Sequence, residues 1–194
     1  MIAEEKITRP KRTFLPEEFV ISDWTSLKPY FENLLSRTLE DVQSLRKWLS
    51  DRSELESAIS EDLGWRYIKM TCYTDNEAYS KSYQDFVVNI QPEIAPLADQ
   101  LNKKLAASPF LQALEKEQGF KILIRNLKKD IELFREENIP LYTQINTETQ
   151  KYGQLSGAMT VEIDGKELTL QQAGVILQST NRVKREEAYR KIAE

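Results

Sequence analysis

The dipeptide Asp164-Gly165 is the tightest local constraint in this sequence. It separates residues 159–163 from residues 166–169, two short alternating runs. Asp-Gly between such runs is the preferred filling of a two-residue turn, because both central residues must take φ > 0. The spacing predicts one small β-hairpin near residues 159–169, the only clear β signal in the chain. Thr169 and Gln172 then form a capping box, with Leu168 placed to staple against Ala173, which predicts a short helix through about Leu177. A further helix is expected from Thr180 or Asn181, with an apolar stripe of Val183, Ala188, Tyr189 and Ile192. That stripe is still running at Glu194, with no Gly, Asn or Pro to end it. The pattern of a segment cut from something larger is therefore expected.

Everything upstream has helical spacing. Ser26 is a candidate cap with Pro29 in the first turn, followed by Leu27, Tyr30, Phe31, Leu34 and Leu35. Thr38 with Asp41 marks the next start, ahead of Leu39, Val42, Leu45, Trp48 and Leu49. Ser53 with Glu56 reads as another capping box, preceding Ile59, Leu63, Tyr67 and Met70. Thr74 with Glu77 reads as the next, preceding Tyr79, Tyr83, Phe86, Val87 and Ile90. Pro92 and Pro96 are expected to interrupt or kink that helix. Ser108-Pro109 opens a short helix that Gly119 ends, and Phe120 to about Glu136 forms another, with Ile124, Leu127, Ile131 and Phe134 inward. Asn138-Ile139-Pro140 starts the helix that carries Leu141, Ile145 and Tyr152 into the hairpin. The expected fold class is all-α, mainly antiparallel helices in a bundle or helical-pair array, with the one hairpin. Three regions are expected: an extended arm over 1–21 with a solvated basic cluster of Arg9, Lys11 and Arg12, a helical lobe over 22–152, and the hairpin with two helices over 153–194.

Composition removes several function classes. Net charge is −4, from 27 basic and 31 acidic residues, which gives no reason to expect nucleic acid or an anionic membrane as partner. Neither a secretory h-region nor a run near the ~20 apolar residues of a membrane span occurs. The single cysteine, Cys72, has apolar neighbours and is expected to be a small buried side chain in a reducing, cytoplasmic setting. The sequence contains no histidine. A Ser-His-Asp triad, a Cys-His pair and a zinc site with the usual nitrogen ligands are therefore excluded within this chain. No Gly-rich phosphate loop is present.

The run from Leu155 to Leu170, LSGAMTVEIDGKELTL, followed by Asn181-Arg182 and by Arg185-Glu186-Glu187-Ala188-Tyr189, resembles the segment ahead of the catalytic domain in oligoendopeptidase F, a bacterial branch of the thimet-like zinc oligopeptidases. Trp24 with Leu27-Lys28-Pro29-Tyr30-Phe31, Trp48-Leu49, Ser53-Glu54-Leu55, Thr74-Asp75-Asn76 and Ile90-Gln91-Pro92 are similar to tokens of the same family, in the same order. The resemblance implies a largely helical, two-lobed enzyme that cleaves short peptides in a channel, with zinc held by HExxH and a downstream glutamate. The motif's two histidines bind the metal and its glutamate activates a water. This chain has no HExxH, so no catalytic or metal residue carries over. It matches the N-terminal, non-catalytic part, which implies no cofactor in this segment, zinc in the full-length enzyme, and a catalytic domain that lies outside this chain as its partner. No activity is expected from it alone. The alternative is a stand-alone helical peptide- or protein-binding module.

Within the chain, carboxylate pairs such as Glu136-Glu137 and Glu186-Glu187 point about 100° apart on a helix and mark solvated faces rather than an acid/base pair. Tyr67, Tyr73, Tyr79 and Tyr83 are placed to line a peptide groove or to pack in the core, with core packing favoured by their apolar stripe. The hairpin is the best candidate for direct contact, since an exposed edge pairs with an extended peptide through backbone hydrogen bonds. Tyr152, Met159, Val161 and Ile163 are its candidate peptide-contacting residues.

Overall fold

The computed structural model describes residues 11–194. Residues 1–10 of the expected arm, with Arg9 and Pro10, lie outside the described residues. The chain divides into two compact units, one up to Thr143 and one from Gln144 to Glu194.

In the first unit, α1 (Trp24–Ser36) begins two residues before Ser26, because Asp23 is the cap. Its carboxylate accepts from the Ser26 N–H at 3.2 Å and the Thr25 hydroxyl at 2.6 Å. Pro29 consequently lies inside the helix and removes one ladder bond. Helix α2 (Val42–Cys72) is capped by Asp41, whose carboxylate and backbone form a reciprocal box with Ser44. It runs unbroken through Ser53, where a new start was expected. A capping box starts a helix only where the chain before it leaves helical geometry. Here Leu45, Trp48 and Leu55 carry one buried stripe across Ser53, and Glu56 accepts from Arg52 at 2.7 Å on the outer face.

Helix α3 (Glu77–Asp85) is capped by Asn76, two residues after the expected Thr74, with the Asn76 side chain accepting from Ala78 and Tyr79 N–H groups. It passes into a π-helical turn (Phe86–Ile90) and then α4 (Gln91–Ala107). Pro92 cannot donate to a carbonyl four residues back, and its ring crowds that position. The ladder accommodates this by widening, with the Gln91 N–H reaching Phe86 O. The expected interruption is thus a π turn inside a continuous helical run. Helix α5 (Leu111–Glu115) is short, and Gly119, at φ 90°, turns the chain into α6 (Phe120–Leu133) rather than ending α5.

These helices close over one core of Leu27, Phe31, Leu34, Leu45, Trp48, Leu55, Phe86, Ile90, Leu101, Leu105, Leu114, Ile124 and Leu127, among others. Each fully buried side chain of this kind contributes about 1.5–3 kcal/mol. Polar ties fix the helix ends. Lys104 donates to Leu35 O at 2.6 Å and to Arg37 O, occupying carbonyls at the end of α1. Buried Asp51 pairs with Arg37 and Lys47. Arg66 donates to Ile21 O at 2.6 Å and to Ser82 O and Oγ at 3.1 and 3.0 Å, joining the extended arm to α2 and α3. Cys72 is exposed, contrary to expectation, because it sits at the far end of α2 beyond the covered stripe.

Helix α7 (Asn138–Ala158) buries no residue, and the boundary between the two units falls within it. The second unit then holds β1 (Thr160–Ile163), β2 (Lys166–Thr169), α8 (Leu170–Ile176) and α9 (Arg182–Ala193). The fold is mainly α with one small antiparallel hairpin, as the periodicities require.

Candidate functional site

The hairpin closes where its sequence dictates. Asp164 and Gly165 take φ 52° and 69°, and β1 pairs with β2 in the register Ile163 to Lys166, Val161 to Leu168. Thr169 and Gln172 form the expected capping box, with the Thr169 N–H donating to Gln172 Oε1 at 2.9 Å and the Gln172 N–H to Thr169 Oγ1 at 3.3 Å. Asn181 caps α9. Ile163, Ala173 and Ala188 are buried together, with Val161, Leu168, Ile176 and Ile192 packed around them. Leu168 thus reaches the Ala173 cluster as the staple requires. Two of the four stripe residues assigned to α9, Val183 and Tyr189, are exposed instead. They lie roughly 140° and 100° around the helix from Ala188, so that one face cannot hold all four.

Of the four candidate contact residues, Tyr152 is 70% exposed and Met159 50%, whereas Val161 is half-buried and Ile163 only 3% exposed. Ile163 spends its side chain on the small core. Two-residue closure makes 163/166 and 161/168 the mutually hydrogen-bonded pairs, so the backbone groups of Thr160 and Glu162 on β1, and of Glu167 and Thr169 on β2, face outward. The capping box occupies the Thr169 N–H. The β1 edge therefore offers the fuller pattern of donors and acceptors for an extended chain.

A second surface feature was not singled out from the sequence. In the second unit Ile145, Tyr152 and Leu155 are all exposed, at i, i+7 and i+10, so they share one face of α7, and Met159, just beyond the helix end, is exposed as well. Val175, Val183 and Tyr189 are exposed as well. A unit whose buried core is Ile163, Ala173 and Ala188 shows water more large apolar side chains than it covers. The periodicity of α7 signalled the face; its exposure appears only in the structure.

In the first unit the tyrosine series forms two ring pairs, Tyr67 with Tyr83 at 5.8 Å and Tyr73 with Tyr79 at 5.6 Å. They bridge α2 and α3 outside the core, with Tyr67 and Tyr73 exposed, so the favoured core role is not theirs. Burial raises the Tyr83 phenol above its ordinary value, and Tyr67 adds to the shift. Between α2, α4 and α6 lies a groove of about 710 Å³ over Leu49, Leu105, Phe120 and Leu127, rimmed by Arg46 and Arg52. Both guanidinium groups are engaged, Arg46 with Glu117 and Arg52 with Glu56 and Asn102.

Among the described residues no group of three or more Asp, Glu or Cys side chains converges as metal ligands, and histidine is absent from the sequence. These residues do not fit a zinc ion. Glu186 pairs with Arg190 at 2.8 Å and Glu136 and Glu137 are exposed, in keeping with solvated faces.

The family model for the peptidase M3 N-terminal domain matches residues 14–134, more than half of the chain. The chain belongs to the peptidase M3 N-terminal domain family. No curated protein matches it. Two solved structures share its fold. One, an X-ray structure assigned to oligoendopeptidase F, is 21% identical with a TM-score of 0.80, covering 94% of this chain and 32% of its own. The other, PZ peptidase A with an inhibitor, is 22% identical with a TM-score of 0.79, covering 93% and 32%. This M3 N-terminal domain therefore spans about a third of the length of the structures it resembles. No helix among its described residues is long and apolar enough to cross a membrane.

Proposed function

We propose that this chain is the N-terminal helical lobe of an oligoendopeptidase F-like zinc metalloendopeptidase that hydrolyses short peptides in the cytoplasm. The observation that carries it is the match of nearly the whole chain to about a third of two such peptidases. The lobe comprises an arm over 1–21, a helical body over 22–152, and a hairpin segment over 153–194 that meets a catalytic domain. Zinc and the residues that hold it belong to that domain, and this lobe walls the channel. The exposed α7 face of Ile145, Tyr152 and Leu155 supports the assignment, because large apolar side chains sharing one helix face are normally covered by a partner. The β1 edge, flanked by Met159 and Val161, is where an extended peptide would pair with the lobe.

The assay is hydrolysis of an internally quenched peptide by the purified chain, with and without a metal chelator, alongside binding of a dye that brightens on apolar surface. No chelator-sensitive hydrolysis, together with strong dye binding that Tyr152→Ser and Leu155→Ser reduce, is the expected result. Chelator-sensitive hydrolysis that co-purifies with the chain overturns the assignment of the chemistry to another domain. Absence of dye binding favours the alternative, a stand-alone helical binding module.

A further inference from the structure

Residues between Ala58 on α2 and Phe86 on the π turn include none that is buried, and α3 buries nothing at all. The outer end of the α2–α3 pair is held together by its own contacts, chiefly the two tyrosine ring pairs and the Arg66 bonds to Ser82. Those ring pairs fix the antiparallel alignment, 67 beside 83 and 73 beside 79. Continuing the alignment inward puts Gly64 level with Phe86 and Val87.

Both helices are weak at this one level. Glycine is the poorest helix former after proline, and nothing lies within 4 Å of the position a Cβ on Gly64 would take, so close packing is not what requires it. Opposite, the ladder has widened into the π turn and then meets Pro92, which has no N–H to donate. Sharp bends in helices concentrate at such features. Among the described residues, Arg66 ties the outer end back to the body across this level, donating to Asp62 Oδ2 at 2.6 Å along α2 and to Ile21 O of the arm at 2.6 Å.

We propose that residues 65–85 form a lid that swings as one unit about a hinge made of Gly64 and the Phe86–Ile90 π turn, with the Arg66–Ile21 bond as its latch. The swing carries the exposed faces of Trp65, Tyr67, Ile68 and Tyr73 together. The inference is independent of the peptidase assignment, since it rests on the first unit alone.

Cys72, exposed and the only cysteine, stands at the end of the lid and is a ready labelling site. A bend of about 20° acting over the roughly 12 Å of helix from Gly64 to Cys72 displaces the label by about 4 Å. The experiment is a pulsed electron-spin distance measurement between Cys72 and Lys128→Cys on α6. The reference is Lys28→Cys paired with Lys128→Cys in a Cys72→Ser background, with both labels on the helical body. The expected distribution for the lid pair is broader than the reference by about 4 Å and narrows when Gly64→Ala is introduced. Equal widths for the two pairs overturn the lid. A broad distribution that Gly64→Ala leaves unchanged overturns the hinge and indicates local fraying.

Discussion

Replacing Trp48 with alanine lowers the stability of the helical unit by about 3–5 kcal/mol, the range for removing a large aromatic side chain from a core. Trp48 is 1% exposed at the centre of the stripe that α2 turns toward α1. Its Nε1–H donates to Leu34 O at 2.8 Å, and the Arg52 guanidinium lies over its ring at 5.7 Å. Alanine loses the buried area, leaves a cavity, and strips the Leu34 carbonyl, in the last turn of α1, of its indole donor. Trp48→Phe keeps most of the volume and loses the hydrogen bond, so its cost is roughly half as large. Urea unfolding followed by helical circular dichroism measures both. A shift of the alanine variant within about 1 kcal/mol of wild type would mean that the core is not organised around this side chain.

Glu54→Ala is expected to cost about 2–4 kcal/mol and to free the arm ahead of α1. The Glu54 carboxylate accepts from the N–H groups of Thr13 at 2.9 Å, Phe14 at 3.1 Å and Leu15 at 2.8 Å, and from the Thr13 hydroxyl at 3.2 Å. Three successive backbone donors converging on one anion form a nest that no neutral side chain refills. Leu15 is buried, so its N–H has no ready access to water once the carboxylate is gone. Burial pushes the Glu54 carboxyl up, but the donors of Leu15, Thr13 and Phe14 outweigh it and hold the group below its ordinary value. The sign for stability follows. A carboxyl depressed in the folded state contributes its full stability above the unfolded value near 4.5 and loses it as pH falls through the lower folded value. The difference between wild type and Glu54→Gln should therefore be constant near neutrality and shrink in acid below about pH 4. Stability curves at several pH values check this, and a difference that grows on acidification contradicts it.

How much of this was legible in the sequence depended on the range of the interactions involved. The Asp164-Gly165 turn, the Thr169–Gln172 box and the Asn181 start are set by residues within four positions of one another, and the structure has them where the sequence put them. Ser53-Glu56 carries the same box signature, yet it lies on the outer face of an unbroken α2, because tertiary burial of Leu45, Trp48 and Leu55 decides continuity. The proline pair was visible, but a π turn as its outcome depends on Phe86, Val87 and Ile90 all finding the core. Periodicity also reports which residues share a face without saying what covers that face. The expectation that Cys72 is buried failed for this reason, and so did the core role for the tyrosines. The same gap hid the exposure of Ile145, Tyr152 and Leu155. The chemistry of the parent family was legible only through resemblance, since a chain without histidine lacks the HExxH motif on which that chemistry depends.

The central claim is that this M3 N-terminal domain is one lobe of a longer zinc peptidase. The measurement that tests it most directly is the sequence of the native transcript past the codon for Glu194. Continuation in frame into a segment that encodes HExxH and a downstream glutamate is the predicted result. A stop codon directly after Glu194 would contradict it and leave an independent helical protein whose family membership describes its ancestry and not its activity.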